Sequence, residues 1–388
     1  MVLAQAIRKN AASLAQAQTT YKENVVAVNT MIASVLTSKL PTLREFPPDW
    51  KEFTAAYEQA NRVALEWVNT IMGRLLSVPQ SVKSYDTIIS SLLQDASKRA
   101  SILIERPSDQ QALQMLNNDL DNISDQLNLV TVFIKTTVDS IQQYHSKLPD
   151  MATQLQTIAD RSTKDAKADQ QKIAALLKDI EQLQNDIKSL TAAIVALGIA
   201  AGAAIILGTV ATIVAFPVGA VVWLFVVPAV AAAGAFIVLD AAQIKVDQAK
   251  IKADQVNMDS LTADVSTLQL LAKQFAGMAS QAQEIQTNLK AVLTEWQTLE
   301  RDVNAAINEI KRAVSDVKGA DFNRVLADIS SAIQEWNATS TQAGNLYLDL
   351  QVNDATLQLD MSSDEIKAAM AKGRTIEIIR YYNLSKVA

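Results

Sequence analysis

Apolar positions along most of this chain fall at helical spacing. From Val2 to Leu40, Ile7, Leu14, Tyr21, Val25, Val28, Ile32, Val35 and Leu36 recur at three- and four-residue steps, which predicts an amphipathic helix ended by Pro41. A second helix is expected from an N-cap at Asp49 to about Val78, with Pro79 interrupting it. A third runs from Ser81 to Glu105. A fourth follows Ser108 and Asp109 to Leu148, ended by Pro149. Every proline outside one apolar run is thus expected at an element boundary. In the polar stretch Met151–Leu190, Ile173, Ile180 and Ile187 lie seven apart, as do Leu176, Leu183 and Leu190. The same step joins Ile244, Ile251, Met258 and Val265, and then Leu261, Leu268 and Phe275. Both are heptad seams. A single helix is expected from Asp240 to about Val317, weakest at Gly277 and closed by Gly319. Another is expected from Asp321 to about Leu350, and a short one after an N-cap at Ser362–Glu365. The pattern assigns no element to Arg374–Tyr382.

Between the seams lies Ser189–Leu239, a run with no charged residue, whose side-chain hydroxyls are Ser189, Thr191, Thr209 and Thr212. A bilayer span needs about 20 apolar residues, so the run is long enough for two. It breaks at Phe216-Pro217-Val218-Gly219, where proline and glycine favour a reversal. Gly198 and Gly202 form a GxxxG step, a weak signal among so many small residues. Thr209–Ala215 and Val218–Val227 are rich in residues that suit strands, whereas Gly198–Leu207 suits a helix. Two structures are expected for the run, one packed in water and one in lipid. The expected fold class is all-α: an elongated long-helix bundle, or rod. An apolar head hairpin, β-tongue or helical, sits between two long antiparallel helices. Residues 1–188 and 240–388 would form the body and 189–239 the head.

Composition narrows the function. Of 388 residues 49% are hydrophobic but 5% aromatic, and Gly and Pro are sparse, which favours long helices. A net charge of -6, without a Lys or Arg block, argues against nucleic-acid binding. With no cysteine and His145 the lone histidine, neither a disulfide nor a His/Cys metal site is expected. No GxSxG, Walker or GxGxxG motif occurs. Asp160, Asp165, Asp169, Asp179 and Asp186 are scattered along polar helix positions, as a solvated face requires. No enzyme and no cofactor are therefore expected. Trp50, Trp67, Trp296 and Trp336 are expected in the core, and Trp223 in the head. Uncovered in water, the run would forfeit tens of kcal/mol, at roughly 1.5–3 per large side chain. Whole-protein stability is only about 5–15 kcal/mol. The run must be covered in water or sit in lipid.

This layout of seams, apolar run and Pro217–Gly219 turn resembles the α-helical pore-forming toxins of the cytolysin A, haemolysin BL and non-haemolytic enterotoxin superfamily. Without cysteine or a recognisable signal peptide, it looks most like a component of the Gram-negative multi-component members. The resemblance implies a soluble protomer, secreted without a recognisable signal, that unfolds its head onto a target-cell membrane and oligomerises there. The side chains expected to enter lipid are Ile194, Val195, Leu197, Ile205, Ile206, Leu207, Val210, Ile213, Phe216, Val221, Trp223, Leu224, Phe225, Phe236 and Ile237. Gly208, Pro217, Gly219 and Pro228 are the expected hinge or turn positions. A water-filled pore needs a polar lumen face, which this run lacks. The chain is therefore expected to anchor a pore whose lumen partner toxin components line, as a homo-oligomer alongside them. The rival is a two-pass membrane scaffold with coiled-coil arms.

Overall fold

A computed structural model describes residues 2–37, 40, 43, 45–142, 144, 146–201, 204–215, 220–232, 235–237, 246–247, 249–251, 253–254, 258–315, 319–344, 350–357, 362–378 and 380–381. The fold class is all-α, built of long helices, with one small sheet. The helices are α1 (Val2–Thr37), α2 (Trp50–Trp67), α3 (Gly73–Glu105), α4 (Gln110–Gln142), α5 (Lys147–Asp165), α6 (Gln170–Ala201), α7 (Ser260–Ser315), α8 (Phe322–Gly344) and α9 (Ser363–Lys372). The strands are β1 (Ala204–Ala215), β2 (Ala220–Ala232), β3 (Ala235–Ile237), β4 (Leu350–Leu357) and β5 (Thr375–Glu377).

The chain divides into two compact units. The first comprises Met1–Lys22, Arg74–Ser140 and Gln286–Tyr347. Its core is aliphatic and tryptophan-rich: Ile7 and Leu14 of α1, Leu93 of α3, Leu120 and Leu127 of α4, Trp296 of α7 and Trp336 of α8 are all buried. Polar groups fix how these helices register. The Asp328 carboxylate accepts from the N–H groups of Val2 and Leu3 at 2.8 and 3.2 Å. It thereby satisfies donors that the first turn of α1 cannot pair internally. Asn10 donates to Asp302 at 3.1 Å, and Arg8 pairs with Glu335.

Two prolines depart from the expected boundaries. Helix α3 runs straight through Pro79. Proline has no N–H for the carbonyl of Leu75, four residues back. The buried Tyr21 hydroxyl donates to that carbonyl instead, at 3.0 Å. The irregularity of this stretch lies upstream, in a π-helical turn at Val68–Met72 that joins α2 to α3. Pro149 does not end α4 but sits in the first turn of α5, where a missing N–H costs nothing. Asp49 does precede α2, but it adopts a left-handed conformation (φ 63°) and makes no side-chain cap bond. Its carboxylate instead accepts from Arg161 Nε at 3.1 Å.

The second unit comprises Glu23–Gly73, Ile141–Ile285 and Leu348–Ala388. The heptad positions are buried as expected at Ile173, Leu176, Ile180 and Leu183 on α6. So are Ile251, Met258, Val265, Leu268 and Phe275 beyond the apolar run. The helix expected from Asp240 is helical at 246–247, 249–251 and 253–254 but is interrupted at Met258 and Asp259. Helix α7 starts afresh at Ser260, where Asp259 caps it by accepting from the Thr262 N–H at 2.8 Å. Gly277 does not break α7, which runs unbroken from Ser260 to Ser315; a Cβ there would lie 2.7 Å from the Met31 methyl, the free end of a flexible side chain. Gln269 of α7 donates to Asp160 and Thr163 of α5, each at 2.9 Å, which satisfies a buried amide. Helix α8 ends at Gly344, not Leu350, and strand β4 follows. The stretch without an expected element contains β5.

Candidate functional site

The apolar run is carried by the end of α6 and by β1, β2 and β3. Strands β1 and β2 pair antiparallel over their whole length, from Ala204↔Ala231 to Ala215↔Ala220. Of the two alternatives for the head, strand or helix, the described residues take the strand one, and Ala204–Leu207, expected to suit a helix, belong to β1 as well. The reversal at Phe216, Pro217 and Gly219 lies outside the described residues, as does His145. Ile194, Val195 and Leu197 stand on the last turns of α6. Val210 and Ile213 stand on β1, Val221, Trp223, Leu224 and Phe225 on β2, and Phe236 and Ile237 on β3. Gly208 and Pro228 are strand residues here, opposite Val227 and Leu207. Ile205, Ile206 and Leu207 are buried. Neither strand alternates polar with apolar residues, the pattern of strands covered on both faces.

What covers β1 was not legible as a strand. The sheet order is β3-β2-β1-β4-β5. Strand β4 lies parallel to β1, with Ile205↔Leu350, Ile206↔Gln351, Leu207↔Val352 and Gly208↔Asn353 in register. Parallel strands need a long crossover, here the residues from β1 to β4, which include α7 and α8. Leu350 and Val352 are buried, as are Ile366 and Met370 of α9 and Ile378 beyond β5. Helix α9 starts with the expected cap, a full capping box between Ser362 and Glu365. Asp354 accepts from the Arg374 N–H at 2.7 Å and from its Nε at 3.0 Å. These bonds, the backbone one foremost, hold the Asp354 carboxyl below the usual carboxylate range. A faint signal was present in the alternation of Leu350, Gln351, Val352 and Asn353, but Asn353 and Asp354 are poor strand formers.

Among the described residues no helix is long and apolar enough to cross a membrane. No group of three or more His, Cys, Asp and Glu in that set is placed to hold a metal ion. Trp67, Trp296 and Trp336 are buried, and Trp50 is half-buried between the rings of Phe46 and Phe53. What the described residues bring together at the apolar run is main-chain pairing between β4, β1, β2 and β3.

No protein-family model matches this sequence, and no curated protein does. Solved structures do. The soluble AhlB of the tripartite alpha-pore forming toxin of Aeromonas hydrophila is similar with a TM-score of 0.69 and 16% identity, over 97% of this chain and 99% of that one. Soluble SmhB of the tripartite Smh toxin of Serratia marcescens is similar at 0.64 and 13%, over 97% and 99%. The cytotoxin MakB of Vibrio cholerae is similar at 0.66 and 11%, over 94% and 98%. The chain has the fold of these toxin components over nearly its full length.

Proposed function

We propose that this chain is one component of a multi-part pore-forming cytolysin, the component that anchors the assembly in lipid. The observation that carries the reading is an uncharged hairpin held in a sheet by a C-terminal strand, in a fold shared with tripartite toxin components. Before membrane contact the hairpin is a strand pair joined to β4. At a target membrane it leaves β4 and refolds as an apolar helical pair. The residues from Ile194 to Leu197 and from Ile205 to Ile237 then contact acyl chains. Backbone groups in lipid must be satisfied internally, and an open two-stranded hairpin cannot do that, which favours helices after entry. Residues 189–239 act as the membrane-entering head and the remainder as the body. The protein is secreted, oligomerises on the target-cell membrane and recruits partner components. It performs no chemistry on a substrate.

The test uses protein purified without detergent and mixed with liposomes. The expected result is co-flotation with the lipid and a circular-dichroism change from strand towards helix. Protein that stays in the aqueous fraction with an unchanged spectrum would remove this reading. Protein that cannot be obtained without detergent would instead favour a resident membrane scaffold.

A further inference from the structure

Asn353 is 0% exposed on β4, although an amide side chain has both donors and acceptors to satisfy. Its Nδ2 donates to the Met370 carbonyl at 2.9 Å and to Thr375 Oγ1 at 3.2 Å. Its Oδ1 accepts from the Ala355 N–H at 3.0 Å. That last bond reaches two residues on, a local turn that competes with ladder pairing. The ladder breaks at this point. Gly208 is opposite Asn353 but Val210 is opposite Leu357, so the single residue Thr209 lies against Asp354, Ala355 and Thr356. On the other edge the β4–β5 ladder continues undisturbed, the Asp354 N–H donating to the Arg374 carbonyl at 3.0 Å, so the break is confined to the side facing β1. A Cβ on Gly373 would run into Asn353 Oδ1 and lie 2.9 Å from Ala355 Cβ. The corner between α9 and β5 is thus shaped around the turn, which marks it as a built feature rather than a frayed strand.

We infer that Asn353 is a positioning residue that limits how firmly β4 grips the hairpin. By diverting the Ala355 N–H it leaves four consecutive pairs, Ile205–Gly208 with Leu350–Asn353, before the register slips. Without the turn the ladder would continue along Thr209 and Val210, and the hairpin would leave more slowly. The inference rests on the reading that the hairpin departs for lipid, and its test keeps the two apart.

The chain has no cysteine, so one introduced at Thr212 of β1 carries an environment-sensitive dye. Its response to phosphatidylcholine–phosphatidylglycerol vesicles reports departure of the hairpin. Deleting Asp354 and Ala355 brings Leu357 into step with Val210, making the ladder continuous. Departure should then slow about tenfold, the effect of one to two added hydrogen bonds. Asn353→Val removes the acceptor at unchanged chain length and should slow departure in the same direction, which keeps the test open if the deletion does not fold. A purely structural role for Asn353 predicts the opposite, a lower thermal midpoint and faster departure. A folded variant that departs as fast as the wild type, or faster, overturns the inference. No dye response in the unaltered background defeats the membrane-entry reading itself.

Discussion

Tyr21 shows how much one hydroxyl can decide. It sits at a regular apolar step of α1 and is buried, which its spacing foretold. Burial also drives its phenol pKa upward, so the proton it donates to Leu75 stays in place at any ordinary pH. Removing that donor leaves a buried carbonyl that Pro79 cannot serve. Tyr21→Phe should therefore destabilise the fold by about 1–3 kcal/mol, read as a lower urea midpoint at unchanged slope. The heptad isoleucines and leucines were legible because burial follows directly from spacing. The hydroxyl's task was not, because its acceptor lies 54 residues away in sequence. The same is true of Gly277, whose partner Met31 lies on another helix. A non-local partner serves the helix near the expected break at Pro79, and α7 passes through the expected weak point unbroken.

Among the elements, the long helices and the hairpin could be read from periodicity and β-branched content. The C-terminal cover could not. Strand β4 contains Asn353 and Asp354, which disfavour strands, and it is extended because β1 and β5 pair with it on either side. The capping box of α9 was readable in Ser362 and Glu365, since that signal is local. Gly373 tests the element. Its φ of -72° is open to any residue, so the need for glycine is one of space. Gly373→Ala should push α9 off β4 and cost about 1–3 kcal/mol locally. Amide exchange should quicken in β4 and β5 while the helices of the first unit keep their protection. Unchanged exchange in β4 would show that the close approach is not needed.

For the whole molecule, the decisive property is what the head lacks. Thr209 and Thr212 carry the hydroxyls of a strand pair with no charge, a composition suited to lipid rather than to a water-filled lumen. The chain alone should bind planar bilayers without giving full conductance, and partner components should supply it. Full conductance from the single protein would refute the anchoring role. The parallel pairing of β1 with β4 has one further consequence, for biosynthesis. More than a hundred residues separate the end of β2 at Ala232 from the start of β4 at Leu350. At about 5–20 residues per second this gap lasts about ten seconds. For about that long after it emerges, the greasiest segment of the nascent chain waits for the strand that pairs with β1. The nascent hairpin therefore has to persist for seconds without the strand that β1 pairs with in the finished fold.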